Sequence, residues 1–209
     1  MHPLFKLNAM TCAGPEGRAV FESFLRSGRP VLLDIFSNVP GSLADNELWA
    51  WLASERLLAM PTRYGLRLEA AQAMRPDAES ALAKAGLLVF VGEHFPDEFE
   101  KRLAEWRARG VGLLWEYAPL AKELPASGSW DGLVVRGIES GGMSRNYSAR
   151  VLFEHALGRN FNLPIFAQGA NTPEAAAVFI ALGAAGITLD AETFVLPAPE
   201  KLQPGHAQA

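Results

Sequence analysis

Eight short apolar runs recur along this 209-residue chain, each closing on polar residues or glycine. They are Leu4–Leu7, Val31–Ile35, Gly65–Leu68, Leu87–Val91, Val111–Trp115, Gly132–Val135, Pro164–Ala167 and Gly186–Leu189. Most are near-continuous rather than alternating, the pattern of parallel strands buried on both faces. The spacing predicts a strand at each.

Helical signals fall between these runs. Pro15 opens a helix whose apolar stripe is Val20, Phe21, Phe24 and Leu25, with Gly28 as its stop. Pro96 opens another, with Phe99, Leu103 and Trp106 on one face and Gly110 at the end. A third begins at Thr172 as N-cap, followed by Pro173 and Glu174, with Val178, Phe179 and Leu182 buried and Gly183 as stop. Leu43–Leu58 and Pro76–Ala85 also read as helical, and Leu120–Leu124 as a single turn.

Alternating strands and helices imply a parallel α/β sheet with right-handed crossovers, and eight repeats point to a compact (β/α)8 TIM barrel. Arg67 interrupts the third run, which keeps an open α/β sheet as the competing arrangement. The eighth helix is short or missing. Residues 1–196 are expected to form one barrel domain and 197–209, with Pro197, Pro199 and Pro204, a tail or linker.

Composition narrows the partners. A formal net charge of −4 and a pI near 5.6 lack the basic surplus that nucleic acid or an anionic membrane requires. The lone Cys12 excludes an intramolecular disulfide and any multi-cysteine metal site. No apolar run approaches the roughly 18 residues of a membrane span, and no signal-peptide pattern opens the chain. A cytoplasmic protein acting on small molecules is the expectation, with no nucleic acid, membrane or metal.

Candidate chemistry lies at the strand ends. Arg136-Gly-Ile-Glu-Ser-Gly-Gly-Met143 carries a sixth strand into a loop where Gly141 and Gly142 let backbone approach an anion or a flat ring; a tight turn is the simpler reading of the same glycines. Gln168 and Gly169 close the seventh strand just before the Thr172 cap, where phosphate-binding barrels place their anion. Asp190 and Glu192 follow the eighth strand and would repel a phosphate.

These loops, with Leu163–Gly169 and Ala181–Asp190, resemble the nitronate monooxygenase (2-nitropropane dioxygenase) family of FMN-binding barrels. They are nearest to the enoyl-reductase-like barrel domains of polyunsaturated fatty acid and polyketide synthases. The resemblance covers residues 87–196 and reaches upstream to Asn8-Ala9-Met10-Thr11, similar to the turn that lays backbone against the flavin. It implies that Ala9, Met10 and Thr11 border the isoalloxazine and that Arg136 lies at its pyrimidine edge. It further implies that Gly141 and Gly142 line the cavity, while Gly169, Ala170, Ala191 and Glu192 flank the phosphate.

Three positions depart from the family pattern. Met143 stands where the monooxygenases have the histidine that would abstract a substrate proton. Ala170 replaces the second glycine of a pair, and its methyl group narrows the approach to phosphate. Glu192 replaces a phosphate-friendly arginine.

Asp34, Glu69, Glu93, His94 and Glu116 also fall near the strand ends. Scattered acids at loop entrances read as solvated. Paired, they would suit a glycosidase or Mg²⁺. His94 is the best-placed proton donor, and His155 reads as packing. Trp49, Trp51, Trp106 and Trp115 read as core.

Two functions compete. One is an FMN-dependent enoyl-thioester reductase acting on an acyl thioester, with Arg136 polarising the carbonyl and His94 supplying the proton. The other is a non-catalytic barrel serving other domains of a polyketide or fatty acid synthase as a structural or docking element.

Overall fold

A computed structural model of the chain describes residues 7–12, 15–36, 45–60, 62–92, 95–119, 130–140 and 146–190. Eight strands lie in it: β1 (Leu7–Cys12), β2 (Val31–Asp34), β3 (Gly65–Glu69), β4 (Leu87–Val91), β5 (Gly112–Glu116), β6 (Gly132–Arg136), β7 (Ile165–Gln168) and β8 (Gly186–Asp190). All neighbouring pairs are parallel and in sequence order, and β8 pairs back to β1, so the ladder closes. The parallel α/β class follows from the buried, alternating units, as their pattern predicts.

Seven strands stand within two residues of the predicted runs, and one is displaced. The first run, Leu4–Leu7, ends where β1 begins. Ala9, Met10 and Thr11, expected in a turn, are instead mid-strand, in register with Val31, Leu32 and Leu33 of β2. Backbone pairing to two neighbours at once outweighs the local apolar run.

Helices α1 (Pro15–Arg26), α2 (Asp45–Leu52), α3 (Glu55–Leu58), α4 (Ala70–Ala73), α5 (Glu79–Lys84), α6 (Phe99–Ala108), α7 (Ala149–Gly158) and α8 (Pro173–Ala181) fall between the strands. Gly28, Gly110 and Gly183 end α1, α6 and α8 with φ of 71°, 75° and 98°, the left-handed conformation that lets a helix close its last carbonyls. Thr172 caps α8 by accepting from Ala175 N at 3.2 Å. Two helical stretches divide. Leu43–Leu58 breaks at Ser54 into α2 and α3, and Pro76–Ala85 opens with a 3₁₀ turn over Pro76–Ala78 before α5. Short α4 was not foreseen; Glu69 and Gln72 bond reciprocally across its first turn. Leu120–Leu124 and the residues after Asp190 lie outside the described residues.

Two apolar cores result. The larger packs strands against helices and contains Trp49, Trp106 and Trp115 at 0–1% exposure, with Trp51 partly buried against it. The smaller fills the space the strands enclose, with Leu32, Leu87, Val89, Leu114, Val134 and Phe166. Residues two apart on a strand share a face. Asp34, Glu116, Arg136 and Gln168 each stand two positions after an inner-core residue of their own strand. A polar layer therefore lies directly above the inner core, at the C-terminal ends.

Candidate functional site: a buried charged layer

Arg67 organises the layer. Its Nε donates to Glu116 Oε2 at 2.6 Å, its Nη2 to Glu116 Oε1 at 3.0 Å, and its Nη1 to Asp34 Oδ1 at 2.8 Å. The three side chains are 1–2% exposed. The Phe36 ring lies 4.8 Å from the guanidinium carbon, adding a cation–π contact. Burial opposes the Arg67 charge, but Glu116 and then Asp34 outweigh it, so its pKa rises above the ordinary arginine value. Asp34 and Glu116 are thus not the solvated acids expected at loop entrances. A strand buried on both faces leaves them no water, and the Arg67 cation on β3 takes its place. Glu69, by contrast, is exposed.

Arg136 enters from β6 with its side chain fully buried, Nη2 standing 3.6 Å from Asp34 Oδ2. Burial, then repulsion from Arg67, lowers its pKa, while Glu116, Asp34 and Asp190 pull it back. Gln168 follows on β7, in register with Arg136, and its Nε2 donates to Asp190 Oδ1 at 3.0 Å. Asn171, just beyond β7, donates from Nδ2 to Asp190 Oδ2 at 3.0 Å and to the Glu139 carbonyl at 3.3 Å. The Asp190 N–H returns to Asn171 Oδ1 at 3.2 Å.

The loop after β6 is pinned as well. Glu139 Oε2 accepts from Ala149 N at 2.9 Å, which places a carboxylate on the free N–H groups of α7, beside the Ser148 cap. Gly169, at φ 94°, comes so close to Ser140 that an added Cβ would stand 2.8 Å from its Oγ. Ala170 is fully buried.

Of the residues singled out in the sequence, the structure brings together Arg136, Gln168, Gly169 and Ala170 and sets β1 beside them through the Met10–Asp190 register. His94, Gly141, Gly142, Met143, Ala191 and Glu192 lie outside the described residues. His155 is exposed on α7 and bonds through Nδ1 to the Tyr117 hydroxyl at 2.5 Å. No group of three or more metal-ligating side chains occurs among the described residues.

Sequence reasoning passed over Arg67 and Asn171. Arg67 counted only as a break in an apolar run, although Asp34 stands in register with it on β2 and Glu116 ends β5, one strand beyond β4. Asn171 carried no signal of its own, because its role depends on the β7–β8 register.

FMN, implied by the family resemblance, fits these residues poorly. The Arg136 guanidinium expected at the ring edge faces Asp34 inside the strands at 0% exposure. A carboxylate held by two amides stands between the ends of β7 and β8, where a phosphate would go.

Fold and site together define a parallel α/β barrel with a buried charged layer beneath its C-terminal mouth. No family model matches the chain, and no curated protein matches it. Solved structures do. A mutant of FabK from Thermotoga maritima aligns with a TM-score of 0.62 at 16% identity, over 90% of this chain and 62% of that one. A designed cube-shaped, porous protein cage built from fused oligomeric domains aligns at 0.56 with 14% identity, over 90% and 64%. Native KDPGal aligns at 0.53 with 14% identity, over 91% and 85%. The chain thus spans about three fifths of the FabK chain it matches. At these identities the likeness shows the fold, and one fold hosts many chemistries.

Proposed function

We propose that this chain is a TIM barrel of the FMN-oxidoreductase type, similar to nitronate monooxygenases and synthase enoyl reductases, that serves as a non-catalytic structural or docking domain of a polyketide or fatty acid synthase. One observation carries this reading. The groups at the position of a barrel active site are committed to one another, with Arg67, Asp34, Glu116 and Arg136 at 0–2% exposure. A flavin ring or an acyl thioester needs donors turned to meet it, whereas Arg67 is bonded to Glu116 and Asp34 and Arg136 faces Asp34. The absence of a histidine at Met143 and the exchange of arginine for Glu192 support the same reading.

The second reading, an FMN-dependent enoyl-thioester reductase, draws on the fold shared with FabK and on the Arg136–Met143 loop sequence. In that case Arg136 would turn from Asp34 to the cofactor and His94 would supply the proton.

Purified full-length protein separates the two. The non-catalytic domain is colourless, releases no flavin on denaturation, and keeps its melting temperature at saturating FMN. A ligand that binds only the folded state raises that temperature by mass action, so bound flavin or an FMN-dependent rise would overturn the reading.

A further inference from the structure

We infer that Asp190 is a tethered anion occupying the chain's own phosphate position, so that this barrel retains a latent site for phosphate or a phosphate monoester that its own carboxylate closes. The inference rests on the flavin-free reading above and goes further, because it assigns the closure to a single residue.

Barrels commonly hold phosphate between the loops after their seventh and eighth strands. Asp190 ends β8 at that place, 2% exposed. A buried carboxylate is costly unless both oxygens find donors. Here each has one: Gln168 Nε2 at 3.0 Å on Oδ1 and Asn171 Nδ2 at 3.0 Å on Oδ2. Both donors come from the β7 side, as they would for an external anion. Asn171 also takes the Asp190 N–H and reaches the Glu139 carbonyl, so one side chain ties the segments after β6 and β7 to the end of β8.

Charge points the same way. With Asp190, the buried layer holds three carboxylates, Asp34, Glu116 and Asp190, against two guanidinium groups, Arg67 and Arg136. An added phosphate would meet a net negative layer and two amides already bonded to Asp190. Without Asp190 the layer is neutral, and the two amides lose their acceptor.

The test is phosphate binding by the full chain with Asp190→Ala, followed by the shift of the melting curve and by ³¹P line broadening with inorganic phosphate as probe. The variant should bind phosphate at least about tenfold more tightly than the wild type, the scale of one charge-assisted hydrogen bond. Asp190→Asn, which keeps an oxygen for Asn171, should show a smaller gain and serves if the alanine variant does not fold. Wild-type protein gives a third readout, since the side-chain amide protons of Gln168 and Asn171 should exchange slowly with solvent. Equal phosphate affinity in wild type and variants, or fast exchange of those amides in the wild type, overturns the inference. Should the wild type remain flavin-free while the variants ignore phosphate, the latent site alone falls. If the wild type binds FMN, the flavin-free reading falls with it.

Discussion

Arg67 of β3 grips Glu116 of β5 with two parallel bonds, 2.6 and 3.0 Å long, across the intervening strand β4. The reach is possible because β4 is apolar along its whole length, leaving no side chain to compete for the guanidinium. A buried pair of this kind is a weak source of net stability, because desolvation consumes most of the Coulomb gain. Its removal on one side is another matter. Arg67→Leu leaves Asp34 and Glu116 buried together, and should lower unfolding stability by about 3–5 kcal/mol in denaturant titration. Replacing all three, Arg67→Leu with Asp34→Asn and Glu116→Gln, should recover a large part of that loss. A triple variant no more stable than the single one would show that packing, not charge, sets the cost.

Tyr64 tests the outer core. Its hydroxyl donates to the Ala81 carbonyl at 2.8 Å, joining the segment before β3 to α5, and the ring is 1% exposed. Tyr64→Phe should cost about 1 kcal/mol by stranding that carbonyl. Burial also pushes the phenol pKa above its ordinary value of 10.0. The folded state therefore holds this proton more tightly than the unfolded chain. Its contribution is complete below pH 10 and declines as pH climbs from there toward the folded pKa. Melting temperatures above pH 10 should fall more steeply for wild type than for Tyr64→Phe. Parallel curves would contradict the assignment.

How far the sequence foretold this arrangement depends on the range of the cause. Local causes were legible. Thr172 caps α8 and Gly28, Gly110 and Gly183 end their helices because each acts within one turn of its own position. Buried parallel strands announce themselves by composition, so seven of the eight stood close to their runs. The displaced strand and the charged layer have distant causes. Asn8–Cys12 becomes strand because β2 and β8 lie on either side. Arg67 looked like a flaw until its partners came from positions 33 residues before it and 49 after. For Asp190, its charge at the end of the eighth run was evident from the sequence, but its hold on Gln168 and Asn171 needed the β7–β8 register.

The turn from β6 into α7 should tolerate no side chain at Gly137. A Cβ there would stand 2.0 Å from Ala149 N and 2.1 Å from Glu139 Oε2, the two atoms of the bond that Glu139 makes at the start of α7 beside the Ser148 cap. Gly137→Ala should cost about 3 kcal/mol, combining overpacking with loss of that bond. Glu139→Ala, which removes only the acceptor, should cost about 1 kcal/mol. Chemical denaturation of both variants orders the two effects. Equal losses would mean that the close approach relaxes freely.

The acid limb of the stability curve should report on Glu79. It accepts from Arg109 Nη1 at 2.9 Å and also pairs with Arg102, and these bonds, Arg109 first, hold its pKa below the ordinary carboxylate value of 4.5. A depressed folded pKa means that the unfolded chain takes up the proton first. The pairing therefore stabilises fully above pH 4.5 and is lost as pH falls through the lower folded value. Glu79 is 41% exposed, so solvent screening keeps the contribution under about 1 kcal/mol. Glu79→Gln should leave the melting temperature nearly unchanged near pH 3 and lower it slightly at pH 7, with the difference shrinking in molar salt as surface charges are screened. A deficit as large at pH 3 as at pH 7 would place the effect in packing of the side chain rather than in its charge.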